Sequence, residues 1–232
     1  GEKGKEDDLL QNIKKFWPFP AMRKLLTQLC RPRKKKKKNP DESRKLCLNA
    51  NTLEEFFWAA AQKGGDNSQW SINELLPTIR LLAEDSECRS AWEFGTAQCR
   101  SSCALLLGGI SELTSVDVEK DPVVDHFSTL SREAGKKWRQ CLIDSAEVAI
   151  DPCDLLLIDS LHNGEHLSKE LRSGHKVKKL ILLHDTVTYW EQGSNGSGLK
   201  DAVINFLQEN PEWEIAYEFV FNNGLMALRR TR

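Results

Sequence analysis

The segment Ala91-Trp92-Glu93-Phe94-Gly95-Thr96-Ala97-Gln98-Cys99-Arg100 constrains the fold of this chain more than any other. A short apolar stretch ends in an acid, a glycine follows, and the small and apolar residues 101–107 predict a helix. A strand that leads into a helix through such a turn is typical of ligand sites in α/β proteins. The turn lets the backbone approach the ligand, and the helix N-terminus offers free N–H groups. Glu93 favours a ligand with hydroxyl or amine groups over a phosphate, because a carboxylate repels phosphate.

The rest of the sheet is predicted from alternating strands and helices, the pattern of a doubly wound α/β fold. Further strands are predicted over 113–118, 138–143, 154–159 and 177–183, and helices over 123–135, 165–173 and 198–209. Two helices, over 52–63 and 72–84, precede the central strand. Residues 213–220 and 224–229 alternate in polarity around Phe221-Asn222-Asn223, which predicts an antiparallel hairpin at the sheet edge.

The first part of the chain differs in charge from the remainder. Through residue 50 there are 15 Lys and Arg against 6 Asp and Glu, and the remainder has 18 against 28. We predict a basic helical appendage and linker over 1–46 and a main domain over 47–232. Apolar residues at helical spacing up to Trp17 predict a helix that Pro18 ends, and 21–30 a second one. The basic run from Arg31 to Lys38 is interpreted as a solvated linker, with nucleic acid, an anionic membrane or glycan, or nuclear import as alternatives.

Composition sets the class of protein. A hydrophobic content of 40% and a charged content of 29% are those of a soluble globular domain, and no apolar run is long enough to cross a bilayer. The seven cysteines are odd in number and form no CxxC pair, which favours a reducing, cytoplasmic compartment over a disulfide framework or a cysteine metal cluster. The chain begins with Gly1 rather than Met, from which we expect a segment of a longer protein.

Acidic residues follow the predicted strands at their carboxyl ends: Glu93, Asp117, Asp144, Asp159 and Asp185. In an open α/β sheet the ligand crevice lies at those ends. A single acid there is more often a helix cap than a ligand. Five on successive strands favour a binding site.

These residues resemble the class I S-adenosylmethionine (SAM) dependent methyltransferases over about residues 70–232. The stretch from Glu93 to Cys99, Asp117, the pair Asp144-Ser145 and Asp159 carry the resemblance. The segments 154–162, 183–186 and 222–225 are most similar to the cephalosporin-hydroxylase-like and sugar O-methyltransferases. The resemblance implies a Rossmann-like seven-stranded doubly wound sheet with an antiparallel last strand, and O-methylation of a sugar or glycan hydroxyl.

The resemblance also implies how the cofactor is held. Glu93, Gly95 and Thr96 would cradle the methionine part of SAM. Asp117 would accept both ribose hydroxyls, and Asp144 would receive the adenine amino group with Ser145 beside it. The family usually has glycine at the position of Cys99, where a side chain is costly if φ is positive.

A divalent metal and a general base form the second layer of the implied site. Asp159, His184 and Asp185 would hold Mg²⁺ or Mn²⁺, and Mn²⁺ fits better if His184 coordinates, because imidazole is a poor ligand for Mg²⁺. His162, three residues after Asp159, would remove the proton of the acceptor hydroxyl. Tyr189 and Trp190, which precede a Gly/Ser-rich stretch over 193–198, would contact the sugar. The alternative is a surface loop with both rings packed inward.

Other functions compete with sugar O-methylation. A nucleic-acid methyltransferase would use the run from Arg31 to Lys38, although the main domain is acidic. A non-catalytic methyltransferase-like module would explain Cys99 and His184. A dinucleotide dehydrogenase is disfavoured because Gly95 has no second glycine at GxGxxG spacing. A glycosyltransferase domain in the same longer chain is a further candidate partner.

Overall fold

The computed structural model describes residues 40–61 and 72–231. The helices predicted within residues 1–39, and the basic run from Arg31 to Lys38, lie outside the described residues.

Seven strands form one sheet in the order β3-β2-β1-β4-β5-β7-β6. Strands β1 to β5 pair in parallel, and β7 pairs antiparallel with both β5 and β6. This arrangement confirms the predicted seven-stranded sheet and its antiparallel last strand. The strands are β1 (Ser90–Phe94), β2 (Glu112–Asp117), β3 (Lys137–Leu142), β4 (Cys153–Ile158), β5 (Val177–His184), β6 (Trp213–Phe219) and β7 (Leu225–Arg230).

Helices flank this sheet, and those from residue 53 onward agree with the predicted ones to within a few residues, whereas the helix Pro40–Leu48 was not predicted. They are α1 (Pro40–Leu48), α2 (Leu53–Ala61), α3 (Leu76–Asp85), α4 (Arg100–Leu107), α5 (Val123–Glu133), α6 (Gly164–Leu171) and α7 (Lys200–Glu209), with 3₁₀ turns at Ile72–Leu75 and Arg172–Lys176. Helix α1 packs against α2 and α5 and runs across the predicted domain boundary at residue 46. None of the helices within 40–61 and 72–231 has the length and hydrophobicity that crossing a membrane requires.

The central strand β4 shows why the sheet is doubly wound. Leu155, Leu156 and Leu157 are successive and fully buried, so both faces of β4 are covered. On one face, Leu156 belongs to a core cluster with residues of α6 and α7, such as Leu167 and Phe206. The connection 143–152 between β3 and β4 forms no helix in this described stretch, and its Ile150 packs into the same cluster.

The opposite face is held by aromatic contacts. Phe127 of α5 is fully buried and lies edge-on to Trp138 of β3, with ring centroids 4.9 Å apart. Its ring also contacts Phe56 of α2 at 5.1 Å. One side chain therefore joins α2, α5 and β3.

We predict that Phe127→Ala lowers the free energy of unfolding by about 3–5 kcal/mol, because it leaves a cavity among three elements. Leu142→Ala, at a position 58% exposed, is the control and should change stability by about 0.5 kcal/mol or less. Urea denaturation of both variants measures the difference. Equal losses would contradict the packing described here.

Candidate active site

In the turn after β1, the backbone of Gly95 lies close to the backbone of the neighbouring strands. Gly95 has a φ of +90°, and its N–H donates to the carbonyl of Val116 at 2.8 Å. A Cβ at Gly95 would overlap the backbone carbonyl of Asp159, which follows β4. Only glycine fits both the positive φ and this contact. The carboxyl ends of β1 and β4 consequently meet at this turn.

Cys99 departs from the glycine that the resemblance implies, and the structure shows its cost. Its φ is +58°, a left-handed conformation that costs a residue with a Cβ about 1–2 kcal/mol. The side chain is fully buried, and burial raises the pKa of its thiol well above the usual value. A protonated, enclosed thiol is a poor nucleophile, so Cys99 is a structural residue.

A cavity of about 510 Å³ opens at the carboxyl ends of β1 and β2. Of the residues predicted to hold the cofactor, Gly95, Thr96 and Asp117 line it. Asp159 lines it as well, which connects the cavity to the second group of predicted residues. The other lining residues are Ile72, Ala97, Gln98, Arg100, Ser101, Glu119, Lys120, Asp121 and Pro122.

Asp117 fastens the turn to the end of β2. Its Oδ2 accepts the backbone N–H groups of Thr96 at 2.9 Å and Ala97 at 2.8 Å. Its Oδ1 accepts the N–H of Glu119 at 3.2 Å. The carboxylate thus orders the wall of the cavity that it lines.

Glu93 lies behind the turn and is not among the residues that line the cavity. Its side chain is fully buried, and Oε2 accepts the hydroxyls of Ser102 and Ser115, both at 2.5 Å. Burial raises the pKa of Glu93 to about 7, against the opposing effect of the serine hydroxyls. The structure therefore gives Glu93 contacts that support α4 and β2 from inside.

Two acids and two histidines meet where β4 and β5 end. His162 Nε2 lies 2.5 Å from Asp185 Oδ2 and 3.6 Å from Asp159 Oδ1. His184 Nδ1 lies 2.9 Å from Asp159 Oδ1 and 3.2 Å from Asp185 Oδ2. Asp185 has a φ of +60°, which is strained for a residue with a side chain. The structure thus brings together all four residues that the sequence assigned to metal and base.

The charges of this cluster stabilise one another. Burial alone would lower the pKa of His162, but its contacts with Asp159 and Asp185 outweigh burial and raise the pKa to about 9. The same two acids raise the pKa of His184 to about 10, again against burial. In return, although burial acts in the opposite direction, the two imidazoles lower the pKa of each acid. The two imidazoles therefore hold protons between the two carboxylates, at a place where a metal cation could bind instead.

Three of these side chains fit a divalent metal. Ligand atoms of Asp159, His162 and Asp185 all lie within 4.8 Å of one another. Within the described residues, Asp185 Oδ1 is buried without a hydrogen-bond partner, as a ligand atom would be. His184 Nδ1 contacts both acids but lies outside this group. Both imidazoles therefore lie within reach of the two acids, and His162 completes the three-residue group.

The loop that follows β5 holds His162 in place. Tyr189 stacks on the imidazole of His162 with centroids 4.5 Å apart and planes 13° from parallel. The carbonyl of His162 accepts the N–H of Ser194 at 2.7 Å, and Asn163 Nδ2 donates to the carbonyl of Asn195 at 2.6 Å. Tyr189 and Trp190 are partly buried and pack against the core cluster. The stacking of Tyr189 thus orients the imidazole of His162.

The predicted adenine residues differ in environment. Asp144 is half-exposed, and its Oδ1 accepts the N–H of Ala146 at 2.9 Å. Ser145 is buried, and its hydroxyl donates to Glu170 of α6 at 2.6 Å. Sequence reasoning missed Glu170, because nothing in a helical pattern marks which of its acids is buried.

Comparison with known proteins shows which proteins share this fold. No family model matches the chain, and no curated protein matches it in sequence. Among solved structures, it is similar to the O-methyltransferase TomG from Streptomyces achromogenes in complex with SAM, at a TM-score of 0.55 and 14% identity, over 87% of this chain and 100% of TomG. The Podospora anserina methyltransferase PaMTH1 with bound SAH gives 0.52 and 14%, over 79% and 89%. The 16S rRNA methylase RmtB gives 0.52 and 15%, over 91% and 81%. The chain therefore has the fold of SAM-dependent methyltransferases.

We predict that the buried Glu93 makes stability fall as pH rises from about 4.5 to about 7. The folded state keeps a proton on Glu93 in this window and the unfolded state releases it, so unfolding becomes easier by up to about 3 kcal/mol. Glu93→Gln should remove this part of the pH dependence.

Urea denaturation at pH 4.5, 6 and 7.5 measures the effect on wild type and variant. Glu218→Gln, which removes an exposed acid of β6, is the control and should keep the wild-type slope. An unchanged slope in Glu93→Gln would contradict the raised pKa of Glu93.

Proposed function

We propose that this chain is a SAM-dependent O-methyltransferase. The observation that carries the proposal is the position of Asp159, which lines the cavity beside Gly95 and also belongs to the cluster with His162 and Asp185. A methyl donor in the cavity and a hydroxyl at the cluster would then be neighbours. Holding the two reactants in line supplies much of the catalysis of such a transfer.

The lining of the cavity supports SAM as the cofactor. The Gly95 turn and the N-terminus of α4 suit the methionine end of the cofactor. Asp117 accepts three backbone N–H groups and keeps one lone-pair site, on Oδ1, for a ribose hydroxyl. Val118, which follows Asp117 and is 70% exposed, offers an apolar surface to adenine. Asp144 and Ser145 are proposed as adenine contacts by resemblance.

Asp159, His162 and Asp185 would hold Mg²⁺ or Mn²⁺, with His184 behind them as a partner of both acids. When bound, such an ion would polarise the acceptor hydroxyl and lower its pKa. The mixed set of two carboxylates and an imidazole suits Mn²⁺ better than Mg²⁺.

His162 is the residue proposed to take the proton of the acceptor hydroxyl. Asp185 contacts its Nε2 and Tyr189 stacks on its ring, so both its position and its basicity are set by neighbours. An imidazole so placed works as a general base once it is in its neutral form. The same nitrogen also fits a metal, so the base and ligand roles of His162 are alternatives.

A sugar or glycan is the acceptor that we propose. Vicinal hydroxyls of a sugar match a cluster of oxygen and nitrogen ligands, and Tyr189 is an aromatic residue at its edge. Tyr189 and Trp190 are partly buried against the core cluster. Their burial supports equally the alternative in which both rings pack inward and do not contact a sugar.

RNA is the second acceptor class. The similarity to the rRNA methylase RmtB extends over 91% of this chain, and the run from Arg31 to Lys38 would suit a phosphate backbone. Transfer of labelled methyl groups to glycosides, polysaccharides and ribosomal RNA, each with and without Mn²⁺, decides between the two. Glycan labelling supports the first proposal, and salt-sensitive RNA labelling the second.

We predict that SAM binds the purified chain and that Asp117→Asn weakens binding about 10- to 100-fold, because hydrogen bonds to a charged group are lost. Asp201→Asn, an exposed acid of α7, is the matched control and should bind like wild type. Calorimetric titration with and without Mg²⁺ or Mn²⁺ measures both. No binding of SAM by wild type under any of these conditions would favour a non-catalytic module.

A further inference from the structure

A buried carboxylate outside the cavity lining connects two parts of the candidate site. Glu170 of α6 has a fully buried side chain, and its Oε2 has no hydrogen-bond partner among the described residues. Its Oε1 accepts two hydroxyls, those of Ser145 at 2.6 Å and Ser160 at 2.5 Å. His166 Nε2, one turn earlier on the helix, lies 3.4 Å away.

The two serines come from different segments. Ser145 follows β3, where the adenine of SAM is assigned. Ser160 lies between Asp159 and His162, in the turn that carries the candidate metal and base residues. One carboxylate oxygen therefore joins the adenine end of the site to its reactive end, across 15 residues of sequence.

Packing alone does not account for this acid. A buried carboxylate is costly to desolvate, and an apolar residue of similar volume is often as stable or more stable in its place. His166 lies beside this carboxylate, which raises the pKa of the imidazole, and its Nε2 is also 3.0 Å from the Ser145 hydroxyl and 3.7 Å from Asp144. The gain from Glu170 is the fixed position of the hydroxyls that it accepts.

We propose that Glu170 is a positioning residue that couples cofactor binding at Ser145 to the arrangement of Asp159 and His162. This inference rests on the proposed function, since it takes the adenine of SAM to lie beside Ser145. When the cofactor orders the segment after β3, Glu170 orders Ser160 and the turn around it. Binding of SAM and binding of a metal at the turn then assist each other.

The test is the mutual effect of two ligands on each other's affinity. Mn²⁺ is titrated by electron paramagnetic resonance, with and without saturating SAM, into wild type and Glu170→Met. In wild type, SAM should tighten Mn²⁺ binding about five-fold or more, and by linkage Mn²⁺ should tighten SAM equally. In Glu170→Met, each ligand should still bind, but the mutual effect should fall below about two-fold, the reduction that this proposal requires.

Glu165→Gln, an exposed acid on the same helix, is the matched control and should keep the wild-type effect. Ser160→Ala removes one of the two hydroxyls while sparing the carboxylate, and it should also abolish the effect. It decides the matter if Glu170→Met does not fold.

The failures are distinguishable. A wild type that does not bind SAM at all overturns the proposed function and this inference together. A wild type that binds both ligands independently, or a Glu170→Met or Ser160→Ala variant that keeps the full mutual effect, overturns this inference alone. A lower melting temperature with the effect retained would show that Glu170 only stabilises the fold.

Discussion

The close approach of β1 and β4 at Gly95 is the constraint on which the rest of the site depends. The N–H of Asp159 donates to the carbonyl of Phe94 at 2.8 Å, and Gly95 leaves no room for a Cβ against the Asp159 carbonyl. Because the strands meet so closely, Asp159 reaches both the cavity and the cluster at the end of β5. A wider turn would separate the place for a cofactor from the place for an acceptor.

Electrostatics fix the second part of the site. Two imidazoles and two carboxylates share a small, largely buried volume, where each charge is tolerable because the opposite charge is adjacent. The left-handed backbone at Asp185 and the stacking of Tyr189 on His162 hold the geometry of the cluster. Side chains that are already in place need little rearrangement when a cation or substrate arrives.

Much of this arrangement could be predicted from the sequence, because it follows from local patterns. Alternating strands and helices predicted the sheet, and parallel strands bring their carboxyl ends to one edge, which placed Asp117, Asp159 and Asp185 together. Contacts between distant side chains could not be predicted in that way. The stacking of Tyr189 on His162 and the burial of Glu170 depend on how loops and helices pack in three dimensions. The burial of Glu93 behind the turn was not predicted for the same reason. An acid at the end of a strand has the same sequence pattern whether its side chain faces a ligand or two serine hydroxyls.

A crystal structure with S-adenosylhomocysteine and Mn²⁺, using the anomalous signal of manganese, tests the central claim most directly. The account predicts the ribose at Asp117, the homocysteine along the Gly95 turn, and manganese bound by Asp159, Asp185 and His162 or His184 on the side toward which the sulfur points. An empty cavity at saturating ligand, or manganese bound away from this cluster, would contradict it.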